Sequence, residues 1–112
     1  MTDITDDFMR ERLGQSKGYT LVLLRATPGR QMPDADAIVW EHGRRNFMLR
    51  AKGLLPIVCP VLDDSGWAGI GIFDAPPDEV ARITDADPGV QAGIFSYEIH
   101  PVRGFPGDAL PA

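Results

Sequence analysis

His42 falls in the middle of an apolar arc. Ile38, Val39, His42, Asn46 and Leu49 share one side of a segment with helical spacing. An imidazole there has two possible roles. It is a core histidine satisfied by a backbone carbonyl, or it is the acid/base group of a small enclosed site, able to move a proton near neutral pH. Few other residues carry chemistry. Asp87 stands before Pro88-Gly89, where a carboxylate caps or turns the chain. Cys59, the single cysteine, lies in the apolar run Leu54 to Leu62, the setting of an inert buried thiol, because a reactive one needs a nearby cation. Ser96, Glu98 and His100 alternate along a strand-like segment. Their row is either a solvated strand face or a cavity wall, and in the second case Ser96 and His100 are substrate-binding. Arg44, Arg45 and Arg50 read as a solvated helix face, but Arg45 borders the His42 arc, where it is placed to receive an anionic substrate. Gly69 and Gly71 in AGIGIF lack a phosphate-loop context, which leaves a nucleotide reading weak.

These side chains need a scaffold. Residues 19–26, YTLVLLRA, form a nearly continuous apolar run between Gly18 and the turn-rich TPGRQMP, which predicts a strand buried on both faces. From Asp34 or Asp36 to Lys52 the pattern is helical, with an aspartate placed to cap and Gly53 as a stop. Trp40, Gly43 and Phe47 on its flank read as packing residues. LLPIVCPVL and WAGIGIFDA, joined by Asp63-Asp64-Ser65-Gly66, predict a hairpin. Pro56 and Pro60 make its first arm an edge strand or an irregular one. Pro76-Pro77-Asp78-Glu79 opens a short helix running to about Asp85, which Asp87-Pro88-Gly89 ends. Ile94 to Val102 alternates as a last strand, with Phe95, Tyr97 and Ile99 on one side.

The order β, α, β, β, α, β predicts an α+β, ferredoxin-like domain, in which two helices cover one face of a four-stranded antiparallel sheet. The first strand is apolar at both parities, Leu21 and Leu23 against Val22 and Leu24, so the helix-free face also needs cover. A second copy of the chain supplies it, which predicts a homodimer or a higher homo-oligomer. The expected division is an N-terminal arm over 1–15, the ferredoxin-like domain over 16–103 and a tail over 104–112.

At 112 residues the chain makes one domain. Its net charge of −5 opposes the basic field that nucleic acid or anionic lipid requires, so neither is an expected partner. The βαββαβ order also occurs in RNA binders, but the central strands lack stacking aromatics. No apolar run reaches the roughly 18 residues of a membrane helix, and the polar, acid-rich start is unlike a signal peptide, which predicts a cytoplasmic protein. A lone cysteine allows no internal disulfide, and no thiolate cluster offers a structural metal site.

The segment from Asp85 to Pro101 resembles the YCII-related family. Its pattern is a helix-borne histidine, a Gly-Leu step into the second strand, an Asp-Pro pair, a glycine before the last strand and a proline ending it. Here those positions read His42, Gly53-Leu54, Asp87-Pro88, Gly93 and Pro101, and the resemblance spans Tyr19 to Pro101. It implies a dimeric α/β barrel of ferredoxin-like subunits. It further implies an acid/base pair of His42 and Asp87 acting on a small organic substrate without a cofactor. A carboxylate on one imidazole nitrogen orients the ring and stabilises its cation, leaving the other nitrogen to move a proton. That suits isomerisation or elimination; the alternative is a dimeric ligand-binding or accessory module without catalysis. The chain departs from the family at Cys59-Pro60, where many relatives have Gly-Pro, and at Val102, where they have an aromatic. The stretch from Ile72-Phe73-Asp74 to Pro101 is also distantly similar to muconolactone isomerases.

Overall fold

The computed structural model describes residues 3–112. Strand β1 (Lys17–Ala26) is central, flanked by β3 (Trp67–Phe73) and β4 (Phe95–Gly104), while β2 (Ile57–Pro60) pairs with the outer side of β3. Every pairing is antiparallel and the order is β2-β3-β1-β4. Helices α2 (Ala35–Ala51) and α3 (Pro77–Asp85) complete the ferredoxin-like α+β arrangement. β2 is an edge strand, which accommodates the prolines at Pro56 and Pro60.

The core lies between the sheet and the helices, in two adjoining clusters. Val22, Leu49, Leu55, Phe73 and Val80 form one. Leu24, Ala35, Ile94 and Phe95 form the other. Because side chains alternate along a strand, Thr20, Val22 and Leu24 face the helices while Leu21 and Leu23 face away. In the single chain Leu21 and Leu23 are half-buried, so β1 is covered fully on one side only.

Helix α2 ends where glycine permits a left-handed residue. Gly53 has φ 78°, its amide donates to the Arg50 carbonyl at 2.9 Å, and the Leu54 amide donates to the Leu49 carbonyl at 3.0 Å. Those two bonds close the last turn and aim the chain into β2. At the other end Asp34 holds the capping position with φ −95° and ψ 5° and makes no side-chain cap bond. Its backbone is not extended, so the carboxylate is turned away from the free amides. Asp36 instead pairs with Arg30 at 2.8 Å.

Two sequence expectations change, and one gains detail. Asp87-Pro88-Gly89 does not merely end a helix; it opens a further one, α4 (Pro88–Gln91). The segment expected as an arm contains helix α1 (Asp6–Gly14), capped by Thr5 and with no buried residue, while residues 1 and 2 lie outside those described. Arg12 links α1 to the tail, its guanidinium lying 5.6 Å from the Phe105 ring centre and 3.8 Å from Asp108. Trp40 and Phe47, expected to pack, are 71% and 66% exposed. A helix on one side of a sheet has only one buried stripe, and both rings lie outside it. No helix among the described residues is long and apolar enough to cross a membrane.

Candidate active site

Helix α2 carries His42 and Arg45 toward the sheet, and the first turn of α4 carries Asp87 to meet them. The short helix is built by its own cap. Asp87 sits in extended backbone, φ −65° and ψ 135°, and its Oδ2 accepts from the Gly89 amide at 2.9 Å and the Val90 amide at 3.3 Å. Pro88 follows at the first helical position, where its missing N–H costs nothing. That cap leaves Oδ1 pointing at α2, and His42 Nδ1 lies 2.8 Å from it.

Asp87 is 4% exposed. Burial alone drives its carboxyl toward the neutral acid, but the His42 hydrogen bond and charge, with the Gly89 and Val90 amides, outweigh burial and hold it below the usual carboxylate range. An ionised Oδ1 accepts, so Nδ1 carries a proton, and the form of the ring with a single proton presents its lone pair at Nε2. Asn46, one helical turn on, places Nδ2 3.2 Å from that Nε2. The imidazole leans on the Phe95 ring, with centroids 5.0 Å apart and planes tilted by 56°. Arg45 Nη1 lies 3.7 Å from Asp87 Oδ1, beyond hydrogen-bond reach, and its side chain is largely buried.

These groups line a cavity of about 360 Å³. Its walls are mainly apolar, supplied by Val22, Leu24, Leu55, Val58 and Phe73 from the core, with Arg50, Gly43 and Phe47 also lining it. The volume fits a small organic molecule. Thr84 on α3 lines it too, and its Oγ1 is buried without a hydrogen-bond partner among the described residues. Cys59 borders the cavity and is half-buried, but its pairing with Ile70 turns its side chain to the helix-free face.

The sequence-predicted residues therefore divide. His42, Asp87 and Arg45 come together at the cavity. Ser96 and His100 do not. They alternate with Phe95, Tyr97 and Ile99, so they stand on the helix-free face, exposed, with His100 Nε2 3.5 Å from Glu98 Oε1. Asn46 and Thr84 also line the cavity, although neither is a sequence-predicted site residue. Asn46 had a visible signal, since it lies four positions after His42 on the same arc. Thr84 had none, because what makes it unusual is the absence of a partner.

Gly89 holds the two halves of the site at their spacing. A Cβ there would fall 2.5 Å and 2.8 Å from Phe95 ring atoms and 3.1 Å from Asp87 Oδ2. Phe95 is buried and cannot swing aside, so Gly89→Ala has to displace the turn that carries Asp87. Overpacking of this kind costs about 1–3 kcal/mol. The thermal midpoint is expected to fall by at least about 4 °C, read by circular dichroism; an unchanged midpoint would show that the turn moves freely.

Tyr97 secures α3 against β4. Its hydroxyl donates to Asp85 Oδ1, and that bond to a carboxylate, with burial, pushes the phenol up to about 12. Among the described residues no group of three or more His, Cys, Asp or Glu side chains is placed to hold a metal ion.

No protein-family model matches the chain, and no curated protein matches it in sequence. In structure it is similar to the 5-chloro-2-hydroxyhydroquinone dehydrochlorinase of Burkholderia phenoliruptrix AC1100, solved in complex with 2,5-dihydroxybenzoquinone. The identity is 20%, the TM-score is 0.52, and the match covers 73% of this chain and 90% of that one. At that identity the likeness establishes the fold: this chain has the ferredoxin-like α+β architecture of the dehydrochlorinase.

Proposed function

We propose that the chain is an enzyme that transfers a proton on a small oxygenated organic substrate, in an isomerisation or an elimination. His42 is the general base or acid, Asp87 orients it, and Arg45 receives an anionic group of the substrate. The carrying observation is the 2.8 Å bond from His42 Nδ1 to a buried carboxylate at the wall of the cavity. A carboxylate on Nδ1 fixes the tautomer and stabilises the imidazolium that forms when Nε2 takes a proton. Arg45 supports an anion site because it is largely buried, while the carboxylate oxygen nearest to it is engaged by His42. The structural neighbour is a dehydrochlorinase holding a hydroxylated quinone, which supports the same reaction class and substrate type.

The test is to offer the protein 5-chloro-2-hydroxyhydroquinone and, separately, 2,5-dihydroxybenzoquinone in deuterated buffer. Chloride release from the first, or ring-hydrogen exchange in the second, above the buffer rate is the expected result. Neither reaction, with the quinone bound in the cavity, would favour the second reading, a dimeric ligand-binding module without catalysis. One observation supports that reading: both ring nitrogens of His42 have partners within the chain, so the polar network is already complete.

The site is proposed to work in a homodimer. On the helix-free face the pairings align Leu21 with Ile72 and Ile57, and Leu23 with Ile70 and Cys59, an apolar patch in the middle of the sheet. Patches of that kind mark interfaces. Light scattering is expected to give twice the chain mass, and Ile70→Asp to give the monomer; a wild-type monomer would remove the dimer.

A further inference from the structure

His42 can serve as a base only through Nε2, and Nε2 is already taken. Asp87 holds Nδ1 at 2.8 Å, and the Asn46 amide nitrogen stands 3.2 Å from Nε2. With a proton on Nδ1, the Nε2 lone pair accepts from Asn46. A substrate whose proton is to be abstracted has to occupy that same position. Asn46 is half-buried and lines the cavity, so its amide can turn from the imidazole toward a bound molecule without leaving the site.

We infer that Asn46 is an exchange residue: it covers the lone pair of His42 in the empty site and donates instead to the substrate's oxygen once the substrate has displaced it. The inference rests on the reading of His42 as the base. In the step itself, the C–H bond beside a carbonyl breaks. The proton passes to His42 Nε2, and the electron pair moves into the carbonyl, leaving negative charge on its oxygen. The Asn46 Nδ2–H released by the substrate is then an uncharged donor at the cavity wall, free to meet that oxygen. A neutral amide is well suited, because a donor bond to an oxyanion is stronger than one to a carbonyl, so the contact tightens as charge develops. The substrate class is thereby narrowed to compounds that form an enolate or phenolate whose oxygen is borne by the carbon next to the one that loses its proton.

The chain has two histidines, His42 and His100, which permits a test needing no substrate. Diethyl pyrocarbonate acylates imidazole through a free lone pair, and exposed His100 is the internal reference. Relative to His100, labelling of His42 is expected to rise about fivefold in Asn46→Ala, since a lost hydrogen bond of roughly 1 kcal/mol uncovers Nε2 by that factor. It is expected to fall in Asn46→Asp, because an acceptor there holds a proton on Nε2. The opposite signs separate the exchange role from a change of access, which would leave the near-isosteric aspartate like wild type. Equal labelling in all three proteins would overturn the inference whether or not the chain is an enzyme. Titration with 2,5-dihydroxybenzoquinone, whose ionised hydroxyls stand in for the oxyanion, tests the second half. Asn46→Ala is expected to bind it at least about tenfold more weakly, the scale of a hydrogen bond to a charged group. Undiminished binding would overturn the donor role. If His42→Ala has full exchange activity on the quinone while the Asn46 results stand, the proposed base fails and the hydrogen-bond exchange does not.

Discussion

Replacing His42 with alanine is expected to lower turnover about 10²–10⁴-fold, the usual contribution of a positioned acid/base group. The fold should survive. His42 is half-buried at a cavity wall rather than in either core cluster, and Asp87 keeps its Gly89 and Val90 amide donors when the imidazole is gone. Arg45, 3.7 Å from Oδ1, has only a short distance to move to take over the vacated lone pair. The measurement is the ring-exchange or chloride-release rate, with circular dichroism to verify folding. Added imidazole should restore part of the rate, because the cavity left by the side chain lies beside the space where substrate binds. Full activity in His42→Ala would remove the proposed chemistry; lost ligand affinity with no measurable reaction in wild type would place the chain among binding modules.

Asp87 should be the most sensitive position for stability and activity together. Its two oxygens serve different ends, Oδ2 capping α4 and Oδ1 holding His42. Asp87→Ala removes a cap worth about 1 kcal/mol and a charged hydrogen bond worth about 1.5–3 kcal/mol. The thermal midpoint is then expected to drop by on the order of 10 °C or more. Asp87→Asn separates the functions. Asparagine is as good a cap as aspartate, so stability falls less. With its carbonyl on the Gly89 and Val90 amides, however, its NH₂ meets Nδ1, donor against donor. The imidazole must shift its proton to Nε2, which removes the lone pair that does the work. A loss of about 10²–10⁴-fold in rate with a small change in midpoint is expected. Equal effects of the two substitutions on the midpoint would contradict the division of roles between the oxygens.

The same carboxylate sets the acid limit. Its folded value lies below its ordinary value of 3.8, net of the burial that opposes ionisation. Below its ordinary value the unfolded chain binds the proton more readily than the folded one. The stability Asp87 contributes is therefore complete above the ordinary carboxylate range and is lost as pH falls through the lowered folded value. Asp87→Asn should remove that part of the acid transition.

Much of this architecture was legible in the chain because it depends on local periodicity. The arc through Ile38, Val39, His42 and Leu49 specified α2 and the side it turns to the sheet. Gly53 marked its end because few other residues adopt the left-handed conformation found there. The alternation in Phe95, Tyr97 and Ile99 fixed which face of β4 is covered, and by the same rule it placed Ser96 and His100 on the opposite face, away from the cavity. Asp34 shows the limit of local reading: it occupies the cap position, but its backbone angles, φ −95° and ψ 5°, are not the extended ones from which a side chain caps.

What only the tertiary structure decided is the meeting of groups distant in sequence. His42 and Asp87 are 45 residues apart, and nothing in the spacing of either says that one oxygen of Asp87 is spent on capping α4 while the other is free for an imidazole. The likeness to a known family brought them together as an implication; the folded chain supplies the 2.8 Å contact. The partnerless Thr84 hydroxyl and the engaged Nε2 are equally invisible in one dimension, since hydrogen-bond satisfaction is a property of neighbours in space. Periodicity states which side of an element is buried. Only the crossing of α2, α4 and the sheet determines which atoms face one another there, and the chemistry of this site depends on that.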